Sequence, residues 1–235
     1  MQEFISAVAE AIQLVTTLDA DLFEIVGLSM QVSLTAVAIA CLIGLPIGAS
    51  LAITNFPGRH FLIVTISALM GLPPVVVGLI IYLFLSNTGP LGWLELLYSP
   101  SAMIIAQTIL VAPIVAALSR QVIEDLNAEY AEQFRSLSVP LKTAIITLLW
   151  DARHSLGTVA LAGFGRAIAE VGAVIIVGGN IDHLTRVMTT AIALETSKGN
   201  LDLALALGMI LIVTALAVNA SVTILRGASA DYSNG

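Results

Sequence analysis

The sequence predicts an all-α, polytopic membrane protein, and three observations carry that expectation. The 235 residues are 58% hydrophobic and 11% charged, with a mean hydropathy of +0.99. Soluble domains contain about a quarter charged residues, and a water-exposed fold of this size has too little core to hide so much apolar surface. Apolar stretches recur at 25–54, 61–85, 101–119, 155–177 and 203–225, each long enough for a hydrocarbon core that takes about 20 helical residues. The charges between these stretches also alternate in sign balance from one connection to the next, as loops on opposite sides of a bilayer do.

Taken in order, residues 2–20 set Phe4, Val8, Ile12 and Val15 at helical spacing, opposite Glu3, Glu10, Gln13 and Thr17. That segment is too polar to span and suits an amphipathic helix at the interface, over residues 1–24. No basic region precedes its apolar residues, so no cleaved signal is expected. About five spans follow over residues 25–226. The first holds Pro46 between Gly44 and Gly48, a pattern that favours close helix packing or a bend. The second holds Pro73 and Pro74 at mid-span, which deprives the carbonyls of Leu69 and Met70 of helical partners. Open backbone at membrane depth is tolerated only against protein or a water-filled cavity, so a pathway-lining role competes here with a plain packing kink. Gly71 and Gly78 are expected to allow close approach around it. The fourth span holds Arg166 and Glu170, the only charged residues placed inside a span. At spacing i, i+4 they are expected to share a helix face and to act in a gate or a dimer-interface network.

The positive-inside rule sets the orientation. Arg59, Arg120, Arg135, Lys142, Arg153 and Arg226 fall on one set of connections, and only Arg186 and Lys198 on the other. The first set is then cytoplasmic, which places the N-terminus outside and the C-terminus inside, with 227–235 as a cytoplasmic tail. The outer set carries nine acids, so the whole net charge of −7 sits outside. An anion would gain no steering from such a face and would need to be delivered.

The longest polar stretch, Arg120 to His154, holds the clearest docking candidate. Asp125 to Ser136 reads as one amphipathic helix, with acids early and Arg135 late, as the helix dipole favours. Pro140 then opens a short apolar helix over 141–150, about half the length of a span. Two short surface helices over 125–150 suit a partner protein better than a plain solvated loop. The lone Cys41 reads as a small core residue, and His60, His154 and His183 as isolated surface residues with no metal spacing. No GxxxxGK[ST] is present, so ATP is not bound by that route. GFG at 163–165 follows no strand and is no dinucleotide fingerprint, and no basic aromatic surface suggests nucleic acid. A secondary transporter would call for inverted repeats, which are not evident, and a membrane enzyme for a nucleophile–base or metal set, which is missing.

The stretch EDLNAEYAEQFRSLSVPLKTAIITLLWDARHSL resembles the coupling motif of type I ABC importer permeases: Glu-Ala-Ala, three residues, Gly, and an Ile-x-Leu-Pro ending. Glu132 takes the Glu position, Gln133 and Phe134 stand for the alanines, Ser138 for the glycine and Leu149-Trp150 near the Leu-Pro. GLPPVVVGLIIYLFLSNTGPLG (71–92), YSPSAMIIAQT (98–108) and GFGRAIAEVGAVIIVGGNI (163–181) resemble the tungstate permeases, neighbours of the molybdate permeases, from about residue 25 onward. The resemblance implies a non-catalytic subunit without a cofactor, paired with a second copy of itself in the inner membrane. It implies an ATPase inside, gripping the region of Asp125, Glu129, Glu132, Arg135 and Ser138, and a tungstate-binding protein outside. Molybdate or sulfate is the alternative cargo.

Overall fold

The computed structural model of the chain describes residues 12–13 and 20–233, with side chains to residue 218 and at 220–221. The interfacial helix expected over 2–20 lies outside the described residues, apart from a helical pair at 12–13. All regular structure among the described residues is helical. In chain order it comprises α1 (Ala20–Ile53), α2 (Arg59–Leu69), α3 (Pro74–Leu85), a 3₁₀ turn (Gly92–Leu94), α4 (Pro100–Ser136), α5 (Leu141–Asp151), α6 (Arg153–Ile168), α7 (Gly172–Gly178), α8 (Met188–Lys198) and α9 (Leu201–Ser233).

By length and composition α1, α4 and α9 each suffice to cross a membrane, and the pairs α2 with α3 and α6 with α7 suffice when each is taken as one broken span. The five expected spans are all present as helical segments. The differences lie in where they break and where they stop.

Pro73 and Pro74 do not kink a single helix but divide the span. α2 ends at Leu69, and α3 starts at Pro74 with Pro73 as its extended cap residue. The Leu69 carbonyl regains a partner locally, accepting from Leu72 N–H at 3.3 Å, and Pro73 O accepts from Val76 and Val77. Pro46 and Pro113, by contrast, sit inside α1 and α4 without ending them. At the other end of a span, α4 does not stop where hydropathy falls at Arg120. It continues to Ser136, so 125–136 is the end of a long helix and not a separate surface helix. Alanine, leucine, glutamate and glutamine sustain a helix in water as readily as in lipid, so the charges mark the solvent boundary only. α5 is the short helix expected, capped by Pro140, whose carbonyl accepts from Ala144 N–H at 3.0 Å.

The chain folds into two compact units. The first gathers residues 1–36, 73–107 and 167–217, and the second 37–72, 108–166 and 218–235. This division sorts the loop charges among the described residues as the two predicted sides do. Asp21, Glu24, Glu95, Asp182, Arg186, Glu195, Lys198 and Asp202 fall in the first unit, and Arg59, Arg120, Glu124, Asp125, Glu129, Glu132, Arg135, Lys142, Asp151 and Arg153 in the second.

Within the second unit, α1 packs on α4 through Gly44 and Gly48. A Cβ at Gly44 would come within 2.9 Å of the Val115 side chain, and one at Gly48 would collide with Ser119 Oγ. Ala49, Ala52, Ile123, Leu148, Ala152 and Leu156 form a buried cluster beside this contact. Within the first unit, α3 lies along α7, with Val77, Gly78, Ile81 and Leu85 buried on one side and Ala173, Val174, Val177 and Gly178 on the other. The outer faces of α3, at Val75, Val76, Leu79, Ile80, Leu83 and Phe84, are 46–56% exposed, a surface that suits lipid and not water.

Candidate functional site

In the second unit the end of α4, the turn after it and α5 form an elbow. Arg120 pairs with Glu124, and Glu124 pairs in turn with Arg59 at 2.9 Å, whose Nε also donates to Leu51 O. These partly buried pairs lie just before the elbow. Leu126, Tyr130 and Phe134 pack against the Ile123–Leu148 cluster, with the Tyr130 and Phe134 rings stacked at 5.7 Å. That apolar stripe turns Asp125, Glu129, Glu132 and Arg135 outward, and all four are exposed. Ser138 takes a left-handed conformation, φ +49°, and Val139 N–H donates back to Phe134 O. A glycine would adopt that conformation without strain, which fits Ser138 standing where the coupling motif has glycine.

α5 buries Ala144 and Leu148 and leaves Lys142, Ile146 and Trp150 facing out. Trp150 is 69% exposed and carries the Arg153 guanidinium 5.3 Å above its ring. Leu137, Leu141 and Ile146 add 75%, 50% and 57% exposed apolar side chains around it. The elbow therefore offers acids and aliphatic surface together, the mixture found at protein interfaces. The sequence marked 141–150 as a short apolar docking helix without separating its outer face, although the 3.6-residue spacing of Lys142, Ile146 and Trp150 against Ala144 and Leu148 carries that signal.

In the first unit the candidates gather at the start of α7. Glu170 is 4% exposed and falls in the break after Ile168, so it does not share a helix with Arg166, as its spacing suggested. Its carboxylate accepts from Ala173 N–H at 3.2 Å, in the first turn of α7, and its carbonyl accepts from Thr189 Oγ1 at 2.8 Å. A carboxylate there satisfies an N–H that has no intrahelical partner. The proline break lies close by. A Cβ on Gly172 would meet the Val75 side chain at 2.7 Å and Glu170 Oε1 at 3.7 Å, and one on Gly78 would meet Ala173 Cα at 2.7 Å. Gly78 is thus a point of close approach. Gly71 is not, since its Cβ would meet only Ala68 O, at an ordinary 3.5 Å. Pro73, Pro74 and Glu170 belong to this unit, and Arg166, half-buried on α6, to the other.

Buried polar groups that sequence reasoning missed complete the region. Gln107 Nε2 donates to Ala167 O at 3.1 Å. Ser29 Oγ accepts from Met188 N–H, and Thr190 Oγ1 donates to Asn180 Oδ1 at 2.8 Å. His183, expected to stand alone, has Nδ1 2.9 Å from Glu24 Oε2, with Asp21 near enough that all three donor atoms lie within 4.8 Å of one another. The partners are 159 residues apart in sequence, so no spacing could reveal the pair. The Glu24 hydrogen bond and charge, with Asp182 and Asp21 adding to them, hold the exposed His183 imidazole above its ordinary pKa.

No model of a protein family matches the chain. A probable anion ABC transporter permease protein of Haloferax volcanii is 40% identical over 204 residues, 85% of this chain and 88% of that protein. The tungstate uptake system permease protein TupB of Peptoclostridium acidaminophilum is 39% identical over 210 residues, 89% of this chain and 92% of its own. The protein of the same name from Campylobacter jejuni is 38% identical over 165 residues, 70% of this chain and 69% of its own. More distant relatives, at 26–30% identity, are named as sulfate and molybdenum transport permeases.

Proposed function

The chain belongs to the family of anion ABC transporter permeases that includes the tungstate uptake permeases, and from that premise we propose that it is the membrane-spanning subunit of an ATP-driven tungstate importer. It sits in the cell (inner) membrane as a homodimer, with its N-terminus outside and its C-terminus inside. A separate ATPase docks on the inner face, and an extracytoplasmic binding protein delivers the anion to the outer one. The delivery protein answers an electrostatic need, because the acid-rich outer face repels a free dianion. The permease performs no bond chemistry itself. Its sequence holds no nucleotide-binding GxxxxGK[ST], and ATP hydrolysis belongs to the partner.

The observation that carries this reading is the elbow of α4 and α5. It joins exposed acids at Asp125, Glu129 and Glu132, with Arg135 and Ser138, to exposed Leu137, Ile146 and Trp150, on a chain otherwise suited to lipid. Closure of the ATPase dimer moves this elbow, and the long helix α4 carries the movement onward. The broken spans supply the parts that respond. Pro73 and Pro74 free backbone at mid-span, and Glu170 and Arg166 act in the gate. Tungstate is favoured over molybdate and sulfate because the permeases named for the latter two are the more distant relatives.

Reconstitution in liposomes tests the reading. Tungstate uptake requires the ATPase, the binding protein and ATP together, and uptake driven by an ion gradient alone would overturn it. Calorimetry of the binding protein with tungstate, molybdate and sulfate decides the cargo.

A further inference from the structure

Thr158 has a buried hydroxyl, Oγ1, without a hydrogen-bond partner. That is unusual within this chain. Ser29, Thr65 and Thr214 also lie on helices, and each donates its hydroxyl to the carbonyl four residues earlier. Back-bonding of that kind is the ordinary fate of such a group in an apolar helix. A buried hydroxyl left unpaired costs stability, so its position calls for an explanation.

Thr158 lines a cavity of about 300 Å³ in the second unit, between α4 and α6, with its Oγ1 held just inside the wall. Ser155, one turn earlier on the same face of α6, and Gln121 from α4 line it too, against walls of Leu118, Val122 and Val159. Its volume equals that of about ten liquid waters, enough for a tetrahedral oxyanion with part of its hydration. No charged residue lines it. The nearest bases in sequence are engaged elsewhere, Arg120 with Glu124 and Arg153 with Trp150.

We propose that Gln121, Ser155 and Thr158 form a neutral way-station for the transported oxyanion on its passage through this subunit, an inference that rests on the importer reading above. The chemistry of the donors points to that ligand. A tetrahedral oxyanion offers acceptors and no donors, while the hydroxyls each supply one donor and the amide supplies a pair. A cation at this point would hold a dianion too firmly for release. A path needs sites good enough to enter and weak enough to leave, and neutral donors in an otherwise apolar cavity give that balance.

The test is tungstate uptake by liposomes holding permease, ATPase and binding protein. Thr158→Val keeps the shape and removes the hydroxyl, and uptake falls about fivefold; Ser155→Ala with Thr158→Val lowers it by about tenfold or more. Thr158→Ser restores the hydroxyl and keeps a rate near that of the unaltered importer, a rescue that a packing role for Thr158 would not give. A double variant transporting at the unaltered rate overturns the proposal and leaves a merely hydrated pocket. Thr158→Ser as slow as Thr158→Val overturns it equally. If the double variant fails to co-purify with the ATPase, Gln121→Leu, at an exposed position, decides: about fivefold loss supports the site, and no loss overturns it. Absence of ATP-driven uptake by the unaltered importer is a different failure, that of the importer reading.

Discussion

Around the elbow of α4 and α5, charge faces out and hydrocarbon faces in. Asp125, Glu129, Glu132, Arg135 and Lys142 are exposed over a floor of Ile123, Ala144 and Leu148. Around α3 and the start of α7 the pattern is inverted. Glu170, Thr189 and Gln107 are buried, while Val75, Val76, Leu79 and Ile80 are 46–55% exposed. One chain thus presents two solvents with opposite surfaces. A buried polar group in the second region has only protein partners, so its loss is paid in stability. An exposed one at the elbow gives up water readily, so its loss falls on whatever docks there. The two regions should therefore fail differently when altered.

Gly78→Val should show the largest effect. A Cβ at this position would lie 2.7 Å from Ala173 Cα, and backbone cannot step aside as a side chain can. Overpacking of this kind costs about 3 kcal/mol, read as a lowered midpoint in denaturant titration of the detergent-solubilised protein. An unchanged midpoint would break the contrast at its tightest packed point.

Glu170→Ala comes next. It removes the acceptor for Ala173 N–H inside a buried region, a loss of about 1–2 kcal/mol. Glu170→Gln keeps an oxygen there and should recover most of it. Transport is expected to drop in Glu170→Ala and in Arg166→Ala while both still assemble with the ATPase. Full transport by both single variants would remove them from any gate.

At the elbow the same scale of change should leave stability almost alone. Ile146→Ser with Trp150→Ala deletes exposed surface, so the denaturation midpoint should move by no more than about 1 kcal/mol. Affinity for the ATPase should fall about tenfold, measured by co-purification or surface binding. A large stability loss with intact binding would reverse the assignment of the two regions.

How much of this was legible in the sequence follows the same division. The spans were, because hydropathy and length are what lipid selects. The stop at Pro73–Pro74 was legible as a break although not as a full separation, since tandem prolines remove two successive N–H donors where Pro46 and Pro113 each remove one. The run of α4 past Arg120 was not, because charge reports where lipid ends and says nothing about where a helix ends. The break before α7 carries no proline. Glu170 looked like a residue of the same helix as Arg166, and only the fold reveals that it lies beyond α6 and that its carboxylate also serves the first turn of the next helix. Of the candidate residues, those at the elbow were suggested by motif order and amphipathic spacing, and the structure leaves Asp125, Glu129, Glu132 and Arg135 exposed. Gln107, Ser29 and Thr190 were missed because their partners are distant in sequence, as was the pairing of His183 with Glu24.

That last pair gives the smallest effect and the sharpest boundary to the comparison. It lies in the same unit as the buried network, yet His183 and Glu24 are both exposed. The Glu24 carboxylate raises the His183 pKa first by hydrogen bonding and then by charge, with Asp182 and Asp21 contributing. The attraction should be fully present below the ordinary histidine value of about 6.5 and lost as pH rises through the raised one. Ring resonances of His183, separated by substitution from His60 and His154, should titrate above about 6.5. Glu24→Gln removes the charge and should bring the midpoint back toward that value, with Asp182 and Asp21 leaving a small residue of the shift. A midpoint at or below the ordinary value, or one indifferent to Glu24→Gln, would mean that the pair does not form in water. A titration that behaves as expected requires water at this rim, so the change of solvent would fall within the first unit, between His183 and the lipid-suited faces of α3.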